Sequence, residues 1–149
     1  MSVVATVDDY LQDAGALDKA MLPLGFLLAF CAQHRLMSQQ FLQQRAEQLS
    51  AIRLQEGQVT TLFAAHGATL YTSDFTPQGL TFVRSYLPQL SADFARIFGP
   101  DCFEIEDTWS NYQQLADVMV RCLLGQPRAK NRSRSLWSTI KNRVSMLWR

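Results

Sequence analysis

Four acidic residues between two predicted helices are the side chains best suited to chemistry: Asp101, Glu104, Glu106 and Asp107. Carboxylate pairs can act as general acids and bases or bind a divalent metal. Glu104 and Glu106 would share one face of an extended segment, whereas Asp107 is placed to cap the next helix. No histidine or basic residue lies close by in the sequence. We therefore interpret the group as solvated or capping carboxylates, or as an electrostatic docking patch, and not as a catalytic site.

The histidines and cysteines do not form a metal-binding or nucleophile motif. His34 and His66 are the only histidines, and neither has a further ligand at metal-binding spacing. Each lies near a predicted helix end, where an imidazole has a structural role. Cys31, Cys102 and Cys122 lack CxxC spacing and sit among apolar neighbours, as small buried residues in a reducing compartment do. With no GxSxG, HExxH or P-loop motif, we expect no enzyme activity, no metal and no cofactor.

The charges are divided unevenly along the chain. The 149 residues carry a net charge of +1, but residues 1–125 contain seven Lys or Arg and thirteen Asp or Glu, a net charge of −6. Residues 126–149 contain seven Lys or Arg and no acid, a net charge of +7. This predicts an acidic helical domain at 1–125, a basic flexible linker at 126–135 and a tail helix at 136–149. A nucleic-acid partner is disfavoured because the acidic domain would repel a duplex.

The tail "SLWSTIKNRVSMLWR" has the pattern of an amphipathic helix. Projected on a helix, its apolar residues fall in one arc with basic residues on the flanks. Three surfaces suit such a helix: the protein's own acidic domain, a groove on another protein, or an anionic membrane. The residues expected to make these contacts are Trp137, Ile140, Lys141, Arg143, Val144, Leu147 and Trp148.

Hydrophobic periodicity predicts a mainly α-helical domain. Residues 17–35 are apolar on most sides and predict a central core helix, which would start near Leu22 because Pro23 suits a first turn. Ser38 is placed to cap a second helix over residues 39–52. A short third helix is expected at residues 58–66, ending at Gly67. Residues 68–71 could be extended.

Two more helices complete the predicted domain. Thr76 and Pro77 are placed as N-cap and first residue of a helix that Pro88 should kink or break. Ser91 would then cap a continuation that ends at Gly99. After a loop or short strand at residues 101–106, Asp107 or Thr108 would cap a helix over residues 109–124. The predicted fold is thus a compact bundle of about five helices with at most a minor strand pair, followed by a basic amphipathic C-terminal helix.

Three stretches of the domain are similar to a known family. They are "LGFLLAFCAQHRLMSQQF" at 24–41, "TPQGLTFVRSYLPQLSADFARIFG" at 76–99 and "FEIEDTWSNYQQLADVMVRCLLG" at 103–125. The last contains Asp107-Thr108-Trp109 followed by Asn111-Tyr112. Together they resemble a family of small bacterial domains without established activity, some of which are associated with toxin genes as immunity proteins. The resemblance covers residues 24–125 and implies a fold unit and a genomic context.

These observations predict a non-catalytic protein, most simply a bacterial immunity protein that neutralises a cognate toxin by direct binding. The acidic patch would attract a basic toxin domain. The alternative is a peripheral membrane adaptor or effector chaperone that uses the tail. Without a membrane-spanning run or a secretory signal, we expect a cytoplasmic protein, with attachment at the inner membrane if the tail binds lipid. The oligomeric state is left open.

Overall fold

The computed structural model describes residues 2–125, and its elements follow one another closely. The strands are β1 (Val3–Thr6) and β2 (Thr69–Tyr71). The α-helices are α1 (Asp8–Ala14), α2 (Leu17–Gln33), α3 (Gln39–Gln44), α4 (Ala46–Leu54), α5 (Thr61–Ala65), α6 (Pro77–Phe98) and α7 (Trp109–Leu123). Two 3₁₀ turns lie at Thr72–Asp74 and Cys102–Glu104. The predicted class, a mainly α-helical domain with a minor strand pair, is confirmed; the predicted linker and tail helix lie outside the described residues.

Helix α2 is the centre of the domain. An unbroken run of its residues, from 22 to 31, is buried, and it contacts α1, α4, α5, α6 and α7. The prediction that it starts near Leu22 is wrong, because it starts at Leu17 and contains Pro23 in its interior. Proline removes one helical hydrogen bond there. Burial of the helix on several sides outweighs that cost, as tertiary packing commonly overrides local propensity.

The chain between Ser38 and Leu54 forms two helices rather than the single one predicted. Ser38 caps α3 as expected, its Oγ accepting a hydrogen bond from the Phe41 amide at 3.2 Å. The break comes at Arg45, whose φ of −116° and ψ of 27° end α3 and begin α4. The turn lets the two short helices bury Phe41, Leu49 and Ile52 in the same core.

A two-stranded antiparallel sheet closes one side of the domain. Strand β1 pairs with β2, with Ala5 opposite Leu70, and an irregularity in register follows Val3. The sequence predicts an extended segment at residues 68–71, where β2 lies, but not its partner β1. Strand β1 is only four residues long, so its alternation is too brief to be recognised before the partner is known.

Helix α6 continues through Pro88, so of the predicted kink or break, the break is wrong. Thr76 caps the helix through its Oγ, 2.9 Å from the Gly79 amide, and Pro77 is the first residue, both as predicted. One buried stripe continues on both sides of the proline and consists of Phe82, Val83, Tyr86, Leu90 and Phe94. Because the Pro88 side is exposed, the helix tolerates it without losing this packing. Ser91 accordingly caps nothing, and the helix ends at Gly99 as predicted.

Helix α7 completes the core. Thr108 is its N-cap, with Oγ1 accepting from the Asn111 amide at 3.2 Å. The segment before it, predicted as a loop or strand, contains the 3₁₀ turn Cys102–Glu104. Tyr112, Leu115 and Met119 of α7 are fully buried against the rest of the core. Within residues 2–125, no helix combines the length and apolarity that crossing a membrane would require.

Candidate functional site

The predicted acidic patch lies on and beside the 3₁₀ turn Cys102–Glu104. The Glu104 amide donates to the Asp101 carbonyl at 2.9 Å and closes the turn. Asp101, Glu104 and Glu106 are exposed, whereas Asp107 is half-buried. Cys102 is buried and fixes the turn to the core. Three of the four predicted patch residues therefore present their carboxylates to solvent.

Two further acidic residues, Asp13 and Asp18, join this surface from the end of α1 and the start of α2. Asp13 and Cys102 line one groove, of about 350 Å³. Asp18 and Glu104 line another, of about 430 Å³. Phe103 lines both grooves and lies between them. We call the exposed carboxylates Asp13, Asp18, Asp101 and Glu104 the acidic face.

Two carboxylates of the acidic face contribute to the raised pKa of the Cys102 thiol. Burial is the main cause that raises its pKa. Hydrogen bonds from nearby backbone amides oppose this effect, and the negative charges of Asp101 and Asp13 add to it. Both acids thus act on one atom although they are far apart in sequence. The sequence offered no signal for this pairing, because it depends on how the α1–α2 turn packs.

One cation partly offsets the acidic face. The Lys19 Nζ lies 2.8 Å and 3.0 Å from the two Glu104 carboxylate oxygens. The hydrogen bond and the charge of Glu104 raise the pKa of Lys19. Because this ion pair is exposed, salt and water screen it, and its contribution to stability is small. A basic partner could replace Lys19 as the counter-ion of Glu104 at little cost.

The half-buried Asp107 carboxylate accepts hydrogen bonds from another segment of the protein. Its Oδ1 accepts from the Val59 amide at 2.9 Å and from the Thr60 amide at 3.3 Å, and its Oδ2 accepts from the Thr60 hydroxyl at 2.5 Å. The carboxylate therefore ties the segment before α5 to the start of α7. Of the two residues predicted to cap α7, Asp107 or Thr108, Thr108 is the N-cap and Asp107 is not.

The Trp109 and Tyr112 side chains lie in and beside the core. The Tyr112 ring is fully buried and its hydroxyl donates to Gln33 Oε1 at 2.5 Å. Burial raises the pKa of Tyr112. Trp109 is half-buried, packs edge-to-face on Tyr112 and donates from Nε1 to the Gly57 carbonyl at 3.1 Å. Both aromatic rings thus support the fold under the start of α7.

The two histidines differ in their surroundings. His34 packs on Phe30, with ring centroids 4.1 Å apart, and burial lowers its pKa. His66 lies 2.9 Å from the Asp74 carboxylate and accepts from Arg45. The sequence gives no sign of this cluster, because seven residues of turn and strand separate His66 from Asp74 and Arg45 lies further away. Across residues 2–125, no three His, Cys, Asp or Glu side chains are grouped so that they could hold a metal ion.

The chain is also similar in sequence to one known protein family. The chain matches a family described as a domain of unknown function, DUF7832, over residues 7–107. The chain belongs to the DUF7832 family. The match runs from Val7, just after β1, to Asp107 and so includes the whole acidic face, whereas α7 lies beyond it. No curated protein and no solved structure matches this DUF7832 protein.

Proposed function

We propose that this DUF7832 protein is a non-catalytic bacterial immunity protein, which neutralises a cognate toxin by binding it directly. The acidic face carries the proposal. Its carboxylates come from two segments separated by more than eighty residues of sequence, and the fold holds them around one turn. A surface of one charge sign accelerates capture of a partner of opposite charge.

Apolar side chains near the acidic face would supply residence time once a toxin is captured. Phe103 is half-buried between the two grooves. Leu11 and Leu17 are 38% and 56% exposed, close in sequence to Asp13 and Asp18. Interfaces derive most of their affinity from a few well-packed anchor side chains, whereas charges at the rim mainly affect the association rate.

The resemblance to toxin-associated domains supports the same proposal. It rests on residues 24–125, including Asp107-Thr108-Trp109 and Asn111-Tyr112. Asp107 and Tyr112 stabilise the fold from inside, so we assign toxin contact to the exposed carboxylates beside them. In this assignment Glu106 contacts the toxin together with the acidic face, and Asp107 supports the fold through its hydrogen bonds to Val59 and Thr60.

Co-expression with the toxin encoded in the neighbouring gene tests the proposal. We expect the wild-type protein to abolish toxicity and to co-elute with the toxin on a sizing column. The double variant Asp13→Lys/Asp101→Lys should bind about tenfold more weakly or worse, with a slower association rate and a weaker dependence on salt.

A matched double variant separates the acidic face from overall charge. Glu47→Lys/Asp117→Lys makes the same change in net charge at exposed acids of α4 and α7 that line neither groove. It should protect as well as wild type. Unchanged toxicity with wild-type protein and no complex would reject the proposal, and equal losses in both variants would reject the acidic face as the contact surface.

The composition of the tail favours a second candidate, a peripheral membrane adaptor or effector chaperone. Residues 136–149 combine Trp137, Trp148 and three basic residues with no acid, which suits an anionic bilayer. Flotation with vesicles containing anionic lipid compares the full chain with a chain ending at Gly125. The candidate requires that only the full chain floats, and equal flotation of both would exclude it.

A further inference from the structure

A third cavity, of about 350 Å³, lies between α3, the end of α5 and the 3₁₀ turn that follows β2. Six of its eight lining residues have polar side chains: Gln40, Gln44, Arg45, His66, Ser73 and Asp74. None of them belongs to the acidic face or to the two grooves beside it. The cavity therefore needs a separate explanation.

The inner wall of the cavity is a buried histidine–carboxylate pair. The His66 and Asp74 side chains are 8% and 9% exposed, and Nε2 of the imidazole lies 2.9 Å from Oδ2 of the carboxylate. The same Oδ2 accepts from the Tyr71 amide at 2.8 Å. Phe41 packs against the other side of the imidazole, with ring centroids 4.7 Å apart. The pair is thus fixed from several directions.

The hydrogen bond from Arg45 sets the tautomer of His66. Arg45 Nε donates to His66 Nδ1 at 3.1 Å, and because a guanidinium has no acceptor, Nδ1 must carry a lone pair. The proton is then on Nε2 and is donated to Asp74. Both ring nitrogens are occupied, so His66 has no free atom for binding a metal or for taking a proton from a substrate. Its role is to hold Arg45.

Arg45 is left with unused hydrogen-bonding capacity. Its bond to His66 uses one of five N–H groups. Within residues 2–125, the terminal guanidinium nitrogens have no ion-pair or hydrogen-bond partner. Arg45 is half-buried, whereas Asp74 is buried and already accepts from Tyr71 and His66. The Asp74 carboxylate is therefore less accessible to an anion in the cavity than Arg45 is.

We propose that this cavity binds a small oxyanion, the phosphate or carboxylate group of a free metabolite, on the terminal nitrogens of Arg45. Two parallel N–H groups of a guanidinium match two oxygens of such a group. The side-chain amides of Gln40 and Gln44, one helical turn apart on α3, supply further donors in the lining. A cation is disfavoured because Arg45 is positive and His66 has no free nitrogen.

An NMR titration of the full-length protein tests this site independently of any toxin. Inorganic phosphate and acetate are added separately at constant pH and ionic strength, while the imidazole signals of the two histidines are followed. We expect a saturable shift of the His66 signals with at least one probe and none at His34, which packs on Phe30 and lines no part of this cavity. The stronger probe identifies the group as phosphate or carboxylate.

Two variants and a control complete the test. Arg45→Gln should abolish the response, whereas Arg84→Gln, which removes an exposed arginine of α6 outside the cavity, should retain it. Should Arg45→Gln not fold, Gln44→Glu at an exposed position decides, because the added carboxylate competes for Arg45 and should weaken binding about tenfold. Three outcomes would overturn the proposal. They are a response that both variants retain, shifts of equal size at His34 and His66, and no response to either probe.

Discussion

At the scale of single residues, Asp107 and Glu106 are neighbours with different tasks. Glu106 is exposed, and its backbone carbonyl accepts from the Asn111 side chain at 2.9 Å. The Asp107 carboxylate accepts three hydrogen bonds from Val59 and Thr60. Sequence alone could not separate them, because the donors to Asp107 lie nearly fifty residues earlier in the chain.

Replacing Asp107 by alanine should lower the free energy of unfolding by about 1–3 kcal/mol, because it leaves part-buried donors of Val59 and Thr60 unpaired. Replacing Glu106 by alanine should change it by less than about 0.5 kcal/mol, as for most surface substitutions. Urea unfolding of both variants measures the difference. Equal small effects would show that Asp107 does not hold the two segments together.

His34 should make stability depend on pH. Burial lowers its pKa below the ordinary value of 6.5. Between 6.5 and that lower pKa the unfolded chain binds more protons, so the free energy of unfolding falls as the pH falls through this window. Above 6.5 this group adds no pH dependence. NMR titration should show His34 titrating below 6.5, and His34→Gln should flatten the stability curve there; a titration above 6.5 would contradict this.

At the scale of elements, the sequence predicted three helix N-caps correctly but did not predict correctly where prolines interrupt helices. Ser38, Thr76 and Thr108 cap as expected because capping depends on residues within one turn. The sequence predicts that Pro23 lies in a first turn and that Pro88 kinks or breaks its helix, but burial of the surrounding stripes keeps α2 and α6 continuous. That stabilisation comes from packing against other elements, so the local sequence around each proline cannot predict it.

The same distinction applies to the candidate sites. Asp101, Glu104 and Glu106 could be grouped from sequence because six residues contain them. Asp13 and Asp18 could not, since the packing of the α1–α2 turn against residues 101–104 brings them in. The cluster of Arg45, His66 and Asp74 likewise requires the break between α3 and α4. Hydrophobic periodicity predicts local elements but does not determine which distant segments contact each other.

The first turn of α6 lies too close to the preceding chain for any side chain at Gly79. A Cβ there would be 2.2 Å from the Leu36 carbonyl oxygen, which is backbone and cannot turn aside. Gly79→Ala should therefore destabilise by about 1–3 kcal/mol, although alanine favours helices by about 1 kcal/mol. Ser85→Ala, at an exposed position of the same helix, is the control and should be nearly neutral. A stabilised Gly79→Ala protein would contradict the close approach.

At the scale of the whole domain, helix α2 contacts both the 3₁₀ turn of the acidic face and helix α5, which precedes His66. It packs against α5, which ends at His66, and against α4, α6 and α7. Its first turns carry Asp18 and Lys19 to the acidic face. Since one helix supports both regions, we expect them to lose their structure together in a single unfolding transition.

Phe26 of α2 tests this cooperativity, because its ring is fully buried and packs edge-to-face on Phe94 and Tyr112 with centroids 6.0 Å and 5.9 Å apart. Phe26→Ala should lower the free energy of unfolding by about 3–5 kcal/mol. Helical circular dichroism and the folded imidazole signals of His34 and His66 should disappear at one urea concentration. Phe103→Ala, at the half-buried ring between the grooves, should cost less. Separate transitions for the two histidines would show that the two regions of the domain fold independently.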